Sequence, residues 1–388
     1  MIDKIEIKNY KSIVNLTLEP GRFNVIIGTN GCGKSNVLEA ITMASAASSN
    51  RLDNANLQSR NVRITEPSFM MNAFEDSDGE IKEEMPFIKI TVEGDNRVWA
   101  TNVFLAFNQK TKEWINLGSI NDSDKIRMTL DKLQDNGKEL AFYQSVNNDI
   151  ELLEERQPEL YQSLKKYLID KPALHSFLCY CPNENVLREM TSSITYPLGS
   201  KGEGLFQYLK EISRNNGHDL FVKINIGLRM LDWFDGMSVP DDLLTKEYKL
   251  TIADRYLKDS LHSFDQRSTN EGFLYLLFYL TLFNSEDTPQ FFAVDNIETS
   301  FNPGLCQNLT KYLVKTTKEN NKQVILTTHN PYVLDGLDLS DDEQRLFVCR
   351  RNIDGHTRIE RVKYRADRKM SLSELWMSGL IGALPDNF

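Results

Sequence analysis

The 388-residue chain has only five cysteines, Cys32, Cys179, Cys181, Cys306 and Cys349, odd in number and widely scattered. Such a set is a poor disulfide framework, so reduced thiols and a cytoplasmic location are expected. Cys179-Tyr180-Cys181 is too tightly spaced for a zinc half-site and has no His or Cys pair to complete it, so it reads as core. No apolar run reaches the roughly 18 residues of a membrane helix. The opening Met1-Ile2-Asp3-Lys4-Ile5-Glu6 lacks the basic-then-apolar pattern of a secretory signal. Fixed-period repeats and sustained heptads are missing too, which argues against a long coiled coil. A basic excess is also absent. The net charge is −10, so the surface as a whole cannot be a nucleic-acid sheath.

What remains is ordinary in bulk, 40% hydrophobic and 26% charged, with enough chain for one large or two ordinary domains. One run is not ordinary. Residues 23–36 read Phe-Asn-Val-Ile-Ile-Gly-Thr-Asn-Gly-Cys-Gly-Lys-Ser-Asn. Gly28, Gly33, Lys34 and Ser35 complete the phosphate-loop pattern, with an apolar strand before it and a helix-like run after it. Gly28, Gly31 and Gly33 let successive backbone N–H groups turn toward one anion, and the helix starting near Lys34 adds its positive end. Lys34 is expected to reach the β/γ-phosphates and Ser35 to ligate Mg²⁺. Asn30, Gly31, Cys32, Gly33 and Asn36 complete the expected nucleotide-binding set. The chain should bind a nucleoside triphosphate.

Alternating apolar and polar residues predict strands at 2–8 and 14–18, and strand character returns at 87–92, 98–107 and 249–253. Residues 44–56 read as helix end and loop, and 75–84 as an acidic loop. From 122 to about 245 the chain is charge-rich and helix-like, for example at 151–167 and 204–214. It reads as a helical insertion between two halves of a nucleotide-binding core. Residues 271–283 are apolar on every face, which predicts a buried helix. Gln290-Phe-Phe-Ala-Val-Asp295 is an apolar strand ending in a carboxylate, the pattern of a Walker B metal ligand. Val324-Ile-Leu-Thr-Thr-His329 is a second such strand, whose terminal histidine could reach a γ-phosphate or its attacking water.

Ile5-Glu-Ile-Lys-Asn-Tyr-Lys-Ser-Ile13, the phosphate loop, the Asp295 strand, Ser300-Phe-Asn-Pro303 and Thr327-Thr-His329-Asn-Pro331 together resemble the ABC-type ATPase heads of the RecF, SMC and OLD group. More narrowly, the chain resembles the stand-alone AAA ATPases of bacterial anti-phage systems, the RloA/AbiL type. The supporting stretches are 60–67, 335–345 and the tail 372–388. The resemblance implies an α/β P-loop NTPase of ABC-head type, a mixed sheet flanked by helices with a helical insertion. Its parts would be 1–121 (Walker A lobe), 122–245 (insertion) and 246–388 (signature, Walker B, D-loop and H-loop).

In such heads two protomers sandwich ATP and Mg²⁺, so a homodimer or higher homo-oligomer is implied. Asn270-Glu271-Gly272 falls at the signature segment, with Asn270 where the family has serine. Ser300-Phe-Asn302-Pro303 would be the D-loop, Lys11 and Ser12 would approach the adenine and ribose, and Gln58 is the candidate Q-loop ligand of the metal. Catalysis would fall to His329 and Glu298. The family glutamate that follows the Walker B aspartate is here Asn296. An amide cannot take a proton, and a lost base costs about 10²–10⁴ in rate. Glu298 lies on the same face of an extended chain, roughly 7 Å further along, and a turn could return it.

Slow hydrolysis follows, with ATP acting as a dimerising ligand. The function implied is a regulatory scaffold controlling a separately encoded effector of nuclease type. The alternative is a RecF-like DNA-binding ATPase of repair, resting on eight Lys/Arg against three carboxylates in 350–369 and leaving nucleic acid as a candidate partner. A transporter subunit is a weaker third reading.

Overall fold

The computed structural model describes residues 1–74, 87–94, 99–117, 172–189, 195–214, 218–240, 249–258, 261, 263–366 and 370–384. The acidic loop expected at 75–84, the helix-like stretch 151–167 and the rest of the expected insertion before residue 172 lie outside the described residues.

Two sheets frame the molecule. The first is antiparallel. Ile2–Tyr10 (β1) pairs with Ile13–Leu18 (β2), setting Ile5 against Leu18 and Ile7 against Leu16. After Phe23–Ile27 (β3), which belongs elsewhere, come Ile88–Gly94 (β4), Trp99–Asn108 (β5) and Glu113–Asn116 (β6). The sheet order is β2-β1-β4-β5-β6. The second sheet takes β3 into its centre, together with Cys179–Tyr180 (β7), Phe291–Val294 (β10), Gln323–Thr327 (β11), Gln344–Arg351 (β12) and Thr357–Val362 (β13). Its order is β13-β12-β3-β11-β10-β7, parallel except for the β12–β13 hairpin. Phe234–Ser238 (β8) and Thr251–Asp254 (β9) form a separate pair.

The central strands are buried on both faces, as a parallel sheet covered on both sides requires. Period-two alternation decides which side chain goes where. Ile26, Ala293 and Ile325 face one core, shared with the helix Lys34–Ser48 and with Ile5, Ile7, Ile90 and Val92 of the first sheet. Val25, Val294 and Leu326 face the other core, built on the helix Glu271–Asn284. The layers therefore run antiparallel sheet, phosphate-loop helix, mixed sheet, outer helices. This is the expected α/β ABC-head architecture.

Residues 273–284 are buried without exception, as their all-round apolarity predicts. Asn270 caps that helix, its Oδ1 accepting from the Phe273 N–H at 2.8 Å. The helix after the phosphate loop runs further than the sequence indicated, through Ser48, and Asn54–Ser59 is a second short helix capped by Asp53. The stretch 172–245 is more than an inserted helical block. Cys179 and Tyr180 extend the main sheet by pairing with Ala293 and Val294, while the helices Leu205–Arg214 and His218–Leu228 pack into the main core. Two apolar residues are too short a run to stand out as a strand. Among the described residues no helix is long and apolar enough to cross a membrane.

Candidate functional site

The site forms where β3, β10 and β11 end side by side. Register places Thr327 opposite Ile26 and Leu326 opposite Val294, so the phosphate loop, Asp295 and the 327–329 segment leave the sheet at one edge. Two glycines of the loop are required by close approach. A Cβ on Gly28 would lie 2.2 Å from the Cys349 carbonyl oxygen, and one on Gly33 (φ 111°) would lie 2.2 Å from Thr357 Oγ1. The loop is thus pressed against the β12–β13 hairpin. Thr357 Oγ1 donates to the Cys32 carbonyl at 2.8 Å and is 2.7 Å from Ser12 Oγ, which also accepts from Asn36 Nδ2 at 2.7 Å. Arg351 Nε donates to the Gly31 carbonyl at 2.9 Å, with its guanidinium 5.3 Å from the centre of the Phe74 ring.

Lys34 Nζ lies over the loop, donating to the carbonyls of Gly28 at 2.8 Å and Thr29 at 3.1 Å. Ser35 Oγ donates to Asp295 Oδ2 at 3.1 Å, and Asp295 Oδ1 accepts from Thr327 Oγ1. A hydroxyl and a carboxylate in that relation are hard oxygen donors. They suit Mg²⁺, which takes few protein ligands and fills the rest with phosphate and water. Gln58 lines the adjoining cavity of about 560 Å³ with Ser35, Glu39, Asn61, Arg63 and Asp295. The loop, Ser35, Asp295 and Gln58 are therefore brought together.

After Asp295 the chain turns sharply. Asn296 takes a left-handed conformation (φ 56°), which asparagine tolerates better than most residues, and its N–H donates to Thr327 Oγ1 at 2.9 Å. The turn carries Glu298 to the end of the neighbouring strand, where its Oε1 accepts from the His329 N–H at 2.8 Å. The second carboxylate oxygen, Oε2, is buried with no hydrogen-bond partner. Partial burial and then the Lys34 ammonium hold the His329 ring below the usual imidazole range, against the pull of Glu298 and Asp295. That environment favours the neutral ring, which can both accept and donate a hydrogen bond.

Lys11 and Ser12 do line a second cavity of about 480 Å³, with Asn36, Arg63, Phe74 and Arg351. The Lys11 ammonium, however, is paired with the buried Glu39, and the Ser12 hydroxyl is shared between Thr357 and Asn36. Asn270, Glu271 and Gly272 open their helix beside Ser300 and Phe301 instead. A Cβ on Gly272 would lie 3.1 Å from the Ser300 carbonyl oxygen. They do not line the cavities beside the phosphate loop.

Sequence reasoning missed four residues that build the site: Glu39, Arg63, Thr327 and Thr357. Glu39 accepts from Lys11, Arg63 and Tyr10, and Arg63 Nη2 reaches Asn36 Oδ1 at 2.9 Å. Only Thr327, the last residue of the buried strand β11, carried a usable signal. Thr357 sits in an unremarkable basic strand.

These features define a P-loop nucleotide-binding domain with the fold of an ABC-type head. An AAA-domain model matches residues 4–221, over half of the chain, and the chain belongs to that AAA-domain family. A second AAA-domain model, whose description adds the AbiEii toxin and a type IV toxin–antitoxin system, matches residues 195–335. The chromosome partition protein Smc of Methanocaldococcus jannaschii is 51% identical over 41 residues, which is 10% of this chain and 4% of that protein's length. A crystal structure of the Smc head bound to the C-winged helix domain of ScpA superposes with a TM-score of 0.56 at 12% identity, covering 93% of this chain and 98% of the other. The SMC head domain from Thermotoga maritima gives a TM-score of 0.47 at 14% identity, covering 94% and 99%. Membership of the family carries nucleotide binding with it.

Proposed function

We propose that this chain is an ATP-binding, slowly hydrolysing head that dimerises around nucleotide and thereby controls a separately encoded effector of nuclease type in anti-phage defence. The observation that carries the slow-switch reading is the turn after Asp295. The position directly after the metal ligand is an asparagine in a left-handed turn, which cannot serve as a base. Glu298, the next carboxylate along, is turned to the His329 backbone and supplies what base strength the site has. His329 would sense the γ-phosphate, Lys34 and the loop N–H groups would hold the β/γ-phosphates, and Ser35 and Asp295 would hold Mg²⁺ with Gln58 at its flank.

Dimerisation accounts for the signature segment. Asn270, Glu271 and Gly272 sit at a partly exposed helix start and do not line the cavities beside their own phosphate loop, so they would complete the loop of a second protomer. Such an arrangement makes ATP a shared ligand that shifts the population of dimers. The AbiEii description of the second family model supports a defence role. The Smc head in complex with ScpA supports a head that carries a protein partner. The DNA-clamp reading has less to rest on. Within the basic stretch Arg350 is paired with Glu360 and Arg361 with Asp342, and Arg368 and Lys369 lie outside the described residues.

Single-turnover hydrolysis tests the slow switch. Wild type should turn over slowly, and Asn296→Glu should accelerate it by roughly 10²-fold. Fast wild-type turnover that Glu298→Ala abolishes overturns the reading and makes Glu298 the full base. Mass measurement of the chain purified with its genomic neighbour, with and without ATP, tests the scaffold role. An ATP-independent monomer that does not hold the neighbour refutes it.

A further inference from the structure

Cys32 lies inside the phosphate loop, and its side chain is buried. Cys349 lies on β12 one residue beyond Val348, which pairs with Ile27, so it stands level with Gly28. Both cysteines are buried and press on Gly28. A Cβ built there would lie 2.7 Å from Cys32 Sγ and 2.2 Å from the Cys349 carbonyl oxygen. Cys349 Sγ donates to the Cys32 carbonyl at 3.5 Å, so the Cys349 thiol lies against the residue that carries the other. Lys34 Nζ is 3.9 Å from Cys32 Sγ. Both residues line a cavity of about 690 Å³ with Arg350, Arg351 and Arg358, wide enough to admit a small oxidant.

We infer that Cys32 and Cys349 are a peroxide-sensitive dithiol, and that the disulfide they form holds the phosphate loop in a state that binds nucleotide poorly. The inference rests on the nucleotide-binding role of the loop. Cys32 is set up as the attacking sulfur. The Cys349 thiol first, then the Lys34 ammonium and backbone N–H groups, pull its pKa down to about 6 against the effect of burial. The other cysteines go the opposite way. Burial pushes Cys306 up to about 12 and raises Cys179, and Cys181, though exposed at the surface, is raised by partial desolvation and then by the Asp295 carboxylate. Oxidation should therefore be selective for Cys32.

In the first step the Cys32 thiolate attacks hydrogen peroxide. An S–O bond forms, the O–O bond breaks, and the leaving hydroxide takes a proton to become water. In the second step Cys349 attacks the sulfenic sulfur. The S–S bond forms, the S–O bond breaks, and the departing hydroxide leaves as water with the Cys349 proton. The sum is two thiols and one peroxide giving one disulfide and two waters. Cys349 is held strongly protonated, chiefly by its hydrogen bond to Cys32, with burial and the charge of Cys32 adding to it. The first step removes that negative charge and so frees Cys349 for the second.

The disulfide ties Sγ of Cys32 to β12 and fixes the backbone whose N–H groups must face the phosphates. By linkage, bound ATP should disfavour the disulfide at equilibrium by the same factor that the disulfide weakens ATP binding.

The test uses the full reduced chain, titrated with hydrogen peroxide with and without ATP, and reads out non-reducing peptide mass spectrometry and the affinity for a fluorescent ATP analogue. The expected result is a Cys32–Cys349 linked peptide, an affinity about tenfold weaker, and recovery with dithiothreitol. Cys349→Ser should bind the analogue as reduced wild type does and keep that affinity after peroxide. Three results overturn the inference: Cys32 oxidised without a link to Cys349, a link that leaves the affinity unchanged, or an equal loss of affinity in Cys349→Ser. A reduced chain that binds no analogue refutes the nucleotide reading instead, and the linked peptide still decides the dithiol.

Discussion

Thr357 lies more than 300 residues from the phosphate loop in sequence, yet it holds the loop from beneath, so replacing it with valine is an informative perturbation. Valine keeps the shape and loses the hydroxyl. Two hydrogen bonds go with it, the 2.8 Å donation to the Cys32 carbonyl and the 2.7 Å contact with Ser12 Oγ. A neutral hydrogen bond contributes about 1 kcal/mol net, and an orphaned buried partner adds about 1–3 kcal/mol. Neither partner atom loses all of its hydrogen bonds here. The Cys32 carbonyl retains the Cys349 thiol, and Ser12 Oγ retains the Asn36 amide. The expected cost is therefore about 2 kcal/mol.

At about 2.1 cal/mol/K of unfolding entropy per residue, a chain of this size carries roughly 0.8 kcal/mol/K. Calorimetry should then show a Tm lowered by only about 2–3 °C. Nucleotide affinity should move more visibly. If most of the loss falls on the loop, the ATP-analogue Kd rises about tenfold. Thr357→Ser, which keeps the hydroxyl, should stay near wild type. A Thr357→Val affinity within twofold of wild type, at unchanged Tm, would refute the claim that the hairpin holds the loop in its binding form.

Two further outcomes follow from the same geometry. Glu39→Gln should cost about 3 kcal/mol, because it leaves the Lys11 ammonium in a buried place without its carboxylate and releases Arg63 from its orienting partner; urea unfolding and analogue binding should both register it, and an unchanged midpoint would count against the buried cluster. Lys322 gives a pH dependence. Burial, opposed by Asp287 and Glu286, lowers its ammonium pKa to about 8 from an ordinary 10.5. Between those values the unfolded chain binds more protons than the folded one, so this residue makes stability rise with pH from about 8 to 10.5 and adds nothing to the slope below that window. The gain is at most about 3 kcal/mol, reduced by the carbonyl and hydroxyl oxygens of Thr288 that accept from the ammonium. Lys322→Met should lack the rise, and a rise equal to that of wild type would exclude Lys322 as its source.

The parts of the site that were legible in sequence are those written in contiguous residues. The phosphate loop, the strand ending at Asp295 and the strand leading to His329 each carry their own local pattern, and the structure lines up all three at one sheet edge. Residues that act across the fold left no such trace. Thr357 reads as one polar residue in a charged strand, and its role appears only when β13 lies beside β12. Lys11 is a related case. Its motif places it near the nucleotide, while the pull of the buried Glu39 claims its ammonium, a pairing that depends on how the 34–48 helix lies under the first sheet. The short β7 shows the limit for strands. Two residues give no periodicity, and only their neighbours at Ala293 and Val294 reveal them.

β3 is central in its sheet, between β11 and β12, and those partners are about 300 residues further along the chain. During synthesis the phosphate loop leaves the ribosome roughly 300 residues before the strands that flank it, Asp295 and Thr357. A nascent chain therefore has no working nucleotide site until nearly all of residues 1–362 have been translated. Contacts of such long sequence separation also form slowly. ATP thus has nothing to bind on unfinished chains, and a truncation before β12 should abolish binding even though the whole phosphate-loop motif is present.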